Sequence, residues 1–480
     1  MTTADETEEA EQGPSLPLAG REHVLQHAAE LIGSAWRSFD HPRPGQPIPN
    51  RGHLELLSRG LPEAPADPCA ALDAAASVLD VSYAQSRPRF FAYIGSSGLE
   101  VGVLADALMA SHDVNVASSA GAADLLEAQV IRWIGQFVGF DAGARGLMAA
   151  GGTISNLTAL TAARERAAPG TREEGMGGRR LALYCSAEAH QSIRRAAEIL
   201  GIGARQVRAI PIDGLHRIDV DACARAIERD RADGVVPVAV VATAGTTLTG
   251  AVDDIAALAG VCARSGTWLH VDGAYGLPAA ATAAAAPLFD QLSRADSATV
   301  DAHKWLYVPK SCSVLLVHDT APLERAFSHE EGYLPHAAQI NAVDRTLEYS
   351  RPLSALKLWL AFEVHGAAAI RAAIERNLRQ AAMLAGLIAD DERYELLTEP
   401  QLSAVCFRRR LVDAGATDAH NATLAHEVRL DGRIWLASAE VAGATWLRAC
   451  VVNHRTTDQD VREIPHVIGE LSDRLLSRHG

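Results

Sequence analysis

Apolar and polar positions change their period along this chain, and the change divides it. Val24, Leu25, Ala28, Ala29, Leu31 and Ile32 recur at helical spacing, which predicts an amphipathic helix that ends before the proline-rich stretch 41–47. A second helical stretch runs over about 68–83. From about residue 86 to 370, short apolar runs alternate with helical patterns. The clearest strands are 181–184, 236–243, 268–272 and 313–317, and helices are predicted over 156–167, 192–200 and 254–264. Strands that alternate with helices imply an α/β fold, a mainly parallel sheet covered on both faces. After about 371 a long helix, two or three strand candidates and a terminal helix predict a smaller α+β domain. The expected organisation is a disordered acidic tail over 1–20, a helical N-terminal segment over 21–85, a large domain over 86–370 and a small domain over 371–480. The alanine-rich run 279–286 reads as a helix surface, and no internal repeat is visible.

Composition narrows the function classes. A chain of 480 residues, 48% hydrophobic and 21% charged, has room for a large core in an ordinary globular protein. Its formal net charge of −15 argues against nucleic acid or an anionic membrane as the main partner. No uninterrupted apolar stretch approaches membrane-spanning length, and the acidic residues 1–13 do not resemble a basic leader, so the cytoplasm is the expected location. The 7 cysteines are scattered, odd in number and without a C-x-x-C pair. They are expected to be reduced core thiols, neither a disulfide framework nor a zinc site.

Two short signals carry chemistry. Asp272 ends the apolar run Trp268-Leu269-His270-Val271, and Lys304 sits between His303 and Trp305. An amine held off water can form an imine with pyridoxal phosphate, and a carboxylate at the ring nitrogen keeps that nitrogen protonated as an electron sink. Gly151-Gly152-Thr153 precedes a good helix; it fits an anion cradle at a helix N-terminus and equally an ordinary helix cap. Thr243-Ala244-Gly245-Thr246-Thr247 follows a strand, which places it at the carboxyl edge of a parallel sheet. His190, after another strand, either stacks on a flat ring or simply opens a helix. His270-x-Asp272 and His303 also admit a metal reading, which needs at least three converging ligands.

In their order, Arg89-Phe90-Phe91-Ala92-Tyr93, Gly151-Gly152-Thr153-Ile154-Ser155-Asn156-Leu157, Ala187-Glu188-Ala189-His190, Ala244-Gly245-Thr246-Thr247, Leu269-His270-Val271-Asp272-Gly273-Ala274-Tyr275 and Asp301-Ala302-His303-Lys304-Trp305-Leu306 resemble the group II pyridoxal-phosphate decarboxylases. That is the family of the aromatic-L-amino-acid and glutamate decarboxylases. The resemblance implies a fold-type I, transferase-like architecture with a seven-stranded sheet, and a homodimer that shares its active site. It makes Lys304 the imine lysine, Asp272 the pyridinium partner and His190 the stacking imidazole. Gly152, Thr153 and His303 would surround the phosphate, Thr247 would lie by the ring and Ala274 against it. Tyr93 and Ser96 would contact the amino-acid substrate.

The same resemblance separates reaction types. Family decarboxylases carry a lid tyrosine about thirty residues after the lysine, whereas relatives with Phe there oxidise the intermediate to an aldehyde. Tyr333, in His329-Glu330-Glu331-Gly332-Tyr333, stands at the matching place. It implies simple decarboxylation, with the phenol protonating Cα. Three departures bear on substrate and phosphate. Gln85 stands where aromatic-substrate members carry a bulky ring, Pro309-Lys310-Ser311 replaces a glycine-bearing run, and Asp301 lies where some members present an amide to the phosphate. Arg87 and Arg89 are candidates to hold a distal substrate acid, or to form salt bridges. Aromatic, acidic and aliphatic substrates all remain open.

Overall fold

The protein is described by a computed structural model covering residues 15–16, 18–95, 97–118, 120–329 and 341–479. Most of the expected acidic tail, Ser96 and Tyr333 lie outside the described residues.

Seven strands form the central sheet: β1 (Arg145–Ala149), β2 (Leu181–Ser186), β3 (Val207–Ile210), β4 (Val236–Thr243), β5 (Trp268–Asp272), β6 (Ser297–Val300) and β7 (Ser313–Val317). Their order is β1-β7-β6-β5-β4-β2-β3. β7 runs antiparallel to both β1 and β6, and the pairings among the other strands are parallel. The reversal has a simple cause. A parallel return needs a crossover of a dozen or more residues, usually through a full helix. The connection 301–312 carries only the single turn Ala302–Trp305, so the chain returns directly as an antiparallel strand. Lys304 is thereby kept at the carboxyl end of β6.

Side-chain parity splits the sheet into two cores. Ala182, Tyr184, Val240, Ala242, Leu269, Val271, Val314 and Leu316 face one side. Leu183, Cys185, Val241, Trp268, Leu315 and Val317 face the other, where the helix Gly152–Ala167 lies. That helix buries residues around most of its circumference, as expected of a helix inside a large domain. His270 and Asp272 share the parity of Trp268, so they point under its first turns.

A second sheet, in the order β10-β11-β9-β8, is wholly antiparallel: β8 (Tyr394–Leu396), β9 (Ala404–Arg409), β10 (Ala437–Val441) and β11 (Ala444–Cys450). The helices Ala414–Asp431 and Asp458–His479 pack with it around a third core. Phe91 belongs to that core. Its N–H donates to Trp435 O at 2.8 Å, and its carbonyl accepts from Cys450 N at 2.9 Å. The two units are joined by Ala355–Ala389, kinked at Gly366, whose φ of +75° suits a residue without Cβ.

Some local expectations change. The run 279–286 is no helix surface: short 3₁₀ turns at Leu277–Ala281 and Ala286–Phe289 bury Ala279 and Ala285. Small side chains there let the turns pack closely on the helix Ala122–Val138. The second sheet has four strands, because β8 and β10 are too short or too exposed to show a run of apolar residues. All seven thiols are unpaired, and six are buried. No helix among the described residues is long and apolar enough to cross a membrane.

Candidate active site

The carboxyl ends of β1, β2, β4, β5 and β6 converge on one edge of the sheet, the usual ligand-binding edge of an open α/β sheet. There the chain leaves β1 for the helix Gly152–Ala167, β2 for His190, β4 for Thr247, β5 for Ala274 and β6 for Lys304. One cavity of about 440 Å³ collects Gly152, Thr153, His190, Thr247, Asp272, Ala274, His303 and Lys304. Tyr93 is not among its lining residues; its side chain is 66% exposed and its ring centroid lies 6.2 Å from that of Phe90.

Asp272 is oriented by a chain of hydrogen bonds whose direction is forced. The carboxylate Oδ2 can only accept, so it fixes the Asn156 amide with Nδ2 toward it, at 2.8 Å. Asn156 Oδ1 then faces His270 Nε2 at 2.9 Å, which requires the proton on Nε2. His270 Nδ1 must accept, and its partner at 2.8 Å is Ser297 Oγ. Ser297 Oγ accepts in turn from Trp268 Nε1, a pure donor, at 2.8 Å. Burial pushes His270 down to about 4, so the ring is neutral at pH 7. Both imidazole nitrogens are engaged in this chain, which gives His270 a role without a metal ligand. The second Asn156 N–H donates to Ser192 Oγ at 3.0 Å. Ser192 N–H donates to His190 Nδ1 at 3.2 Å, so His190 caps the helix Gln191–Ile199 while its ring lines the cavity. The ring partner and the candidate stacking imidazole are thus held by one asparagine.

The other wall carries the amine. Lys304 Nζ lies 3.2 Å from Asp301 Oδ2, and His303 Nε2 lies 3.8 Å from the same oxygen. Burial lowers His303, with Asp301 opposing. Its Nδ1 is 2.8 Å from Cys312 O, which ties the Lys304 turn to the start of β7. Gly152 faces this group closely: a Cβ there would stand 2.9 Å from Asp301 Oδ2 and 3.1 Å from Ala274 Cβ. The first turn of the helix Gly152–Ala167 can pack this close to Asp301 and Ala274 only because that side chain is missing. Lys310 adds a second amine to the cavity wall, and its Nζ donates to Gln85 Oε1 at 2.8 Å.

Arg87 and Arg89 have other partners. Arg89 Nε lies 2.9 Å from Asp460 Oδ1, and Arg87 donates to Ser38 O at 3.0 Å with its guanidinium over Phe39. Sequence reading missed Asn156, Ser192 and Ser297 as site supports. For Ser297 no signal exists along the chain. Asn156, one turn into a helix that opens on a ligand edge, was legible as a polar residue on a buried helix face.

These residues fit pyridoxal phosphate: a carboxylate with fixed orientation for the ring nitrogen, an amine across the cavity for the aldehyde, and a helix N-terminus with a glycine-cleared approach for the phosphate. Comparison with known proteins agrees. The pyridoxal-dependent decarboxylase conserved domain matches residues 54–410. An aromatic-L-amino-acid decarboxylase of Bacillus atrophaeus is 34% identical over 81% of this chain and 82% of its own. A cysteine sulfinic acid decarboxylase of Homo sapiens is 33% identical over 70% of each. The solved 4-hydroxyphenylacetaldehyde synthase of Rhodiola rosea superposes with a TM-score of 0.87 at 24% identity, covering 96% of this chain and 99% of that one. With its fold, its cavity and its sequence in accord, the chain belongs to the pyridoxal-dependent decarboxylase family and is a carboxy-lyase of fold-type I that uses pyridoxal phosphate.

Proposed function

We propose that this enzyme decarboxylates an L-amino acid to its amine and carbon dioxide. The observation that supports it most is the placement of Asp272 and Lys304 on one cavity, with Asp272 oriented through Asn156 and His270. Pyridoxal phosphate supplies an aldehyde for the substrate amine and a ring that takes up the electron pair left when carbon dioxide departs. Lys304 would hold the cofactor by its aldehyde and would stand next to the substrate amine. Asp272 keeps the ring nitrogen protonated, and its carboxylate is worth most where charge develops away from water. His190, Thr247 and Ala274 would line the ring, and Gly152, Thr153 and His303 would hold the phosphate. Tyr333 would deliver the proton to Cα and Ser96 would meet the substrate, whereas Tyr93, outside the cavity of the single chain, is given no part in it.

The working unit in this reading is a homodimer with a shared site. The helices Arg21–Phe39, Arg51–Leu57 and Pro68–Asp80 bury no residue within the single chain, and Leu25, Leu54, Leu57, Leu61 and Leu79 are all exposed. Helices that leave their apolar side chains exposed in the single chain fit an association surface.

Oxidative decarboxylation to an aldehyde is the second reading, favoured by the structural likeness to the Rhodiola rosea aldehyde synthase. Purified holoenzyme given a panel of aromatic, acidic and aliphatic L-amino acids decides between them. Amine and carbon dioxide in equal amounts support decarboxylation. Aldehyde with ammonia and peroxide would establish the second reading, and no turnover of any amino acid would overturn both.

A further inference from the structure

Asp301 is a buried acid without enough partners. It is 2% exposed, lines the cavity, and has one oxygen against Lys304 Nζ at 3.2 Å. The other, Oδ1, is shielded from solvent and has no hydrogen-bond partner among the described residues. Both oxygens face Gly152, since a Cβ there would lie 2.9 Å from Oδ2 and 3.1 Å from Oδ1. A buried polar atom left unpaired costs about 1–3 kcal/mol, more for a charged group, so the pocket is incomplete as a protein-only arrangement. What comes to Gly152 in the proposed function is an anion. A phosphate oxygen meeting a carboxylate oxygen repels it unless a proton lies between them.

From this geometry we infer that Asp301 makes cofactor uptake proton-linked: one proton is shared between its carboxylate and the phosphate, so the pair is bound with one negative charge fewer. This rests on the assignment of the phosphate to Gly152 and Thr153. The groups facing Asp301 do not remove the need for the proton. From its own turn come His303 at 3.8 Å and Lys304 at 3.2 Å. Burial lowers His303, which keeps its ring from serving as a standing cation, and Lys304 meets Oδ2, leaving Oδ1 without it. The rest of the connection to β7 contributes Lys310, whose amine donates to Gln85 Oε1, and Cys312, whose thiol burial raises to about 12 and so stays neutral. The β5 side contributes the Ala274 carbonyl, an acceptor already paired with Asp301 N–H at 3.2 Å. The start of the helix at Gly152 brings no titratable side chain.

Atoms balance simply. Above the second phosphate pKa of about 6, the free cofactor carries a dianionic phosphate, and one proton is drawn from solvent on binding. Whichever oxygen carries it, the count is the same. In the Asp301→Asn protein the amide donates a hydrogen bond to the dianion, and no proton is needed.

The test measures pyridoxal phosphate binding to apoenzyme, by its visible absorbance and by titration calorimetry in buffers of different ionisation enthalpy, between pH 6 and 8.5. The ratio of wild-type to Asp301→Asn Kd should rise about tenfold per pH unit above pH 6, and wild-type should take up about one proton more per cofactor. Comparing two proteins cancels titration of the cofactor ring, and repeating the comparison in a Lys304→Ala background removes that of Lys304, which touches Asp301. Asp301→Ser provides a second neutral replacement should the first fold poorly. A constant Kd ratio with equal proton counts would overturn the inference while leaving the cofactor site intact. Absence of any cofactor spectrum in wild-type would instead overturn the proposed function.

Discussion

Asn156 Nδ2 donates to Asp272 Oδ2 at 2.8 Å, and through this one contact the carboxylate proposed for the ring nitrogen is tied to the interior of the sheet. Asn156 is 1% exposed, Asp272 6%, and His270 behind them is fully buried. The carboxylate therefore cannot rotate without unpairing a chain of four further groups. Asn156→Leu, close in volume, should lower kcat about 10- to 100-fold, the scale of one charge-assisted hydrogen bond. KM should change less, because the lost contact does not touch substrate. Steady-state kinetics and cofactor content, measured together, check this; an unchanged kcat in fully loaded enzyme would contradict it.

Asp272→Ala removes the ring partner itself. Losing a preorganised partner to a developing charge typically costs on the order of 10² or more in rate. The variant should retain its fold and its substrate affinity while kcat falls by at least that factor. Near-native turnover would exclude the electron-sink role.

Borohydride treatment of the holoenzyme should fix the cofactor covalently on Lys304, and Lys304→Ala should abolish the fixation. Peptide mapping is the readout. Labelling of Lys310, the other lysine on the cavity wall, would reassign the amine.

His270 predicts a pH dependence of stability. Its ring is held near 4 in the folded chain against about 6.5 unfolded, so the unfolded state binds more protons between those values and stability falls as pH drops through 6.5 toward 4. From pH 7.5 to pH 5 the loss assigned to this one group is about 2 kcal/mol. Burial lowers His454 as well, which adds a loss of the same sign. Urea unfolding at the two pH values, wild-type against His270→Gln, isolates the contribution: the variant should be less stable at pH 7.5 yet lose about 2 kcal/mol less on acidification. Equal losses in the two proteins would refute the assignment.

Tyr333→Phe tests the proton donor. Cofactor binding and carbon dioxide release should persist, while amine formation falls by about 10² to 10⁴, the usual worth of a general acid. The product should shift toward aldehyde. Amine made at the wild-type rate would move the role elsewhere, with His190 the first residue to replace.

Pattern along the chain determined the class of fold and several of the segments that reach the ligand edge, and the resemblance of the motifs supplied the proposed roles. A strand's period and a helix's period are local properties, so β4, β5, β7 and the helix at 152–167 are legible without neighbours. His190, Thr247 and Asp272 end or follow strands legible in the sequence, which places them at the ligand edge, whereas Lys304 follows β6, which the pattern did not single out, and its role came from its setting between His303 and Trp305 and from the resemblance. Tertiary structure alone decided the rest. The reversal of β7 depends on the length of a connection and on which strands it joins. The proton on His270 Nε2 depends on Asn156, Ser297 and Trp268, which come from three different elements. Asp301 reads in sequence as a substitution beside a lysine; only packing against Gly152 leaves one of its oxygens buried and unpaired. A hydrogen bond or a desolvated charge is set by distance in space, and the periodicity of one segment carries no information about which other segment comes within 3 Å of it.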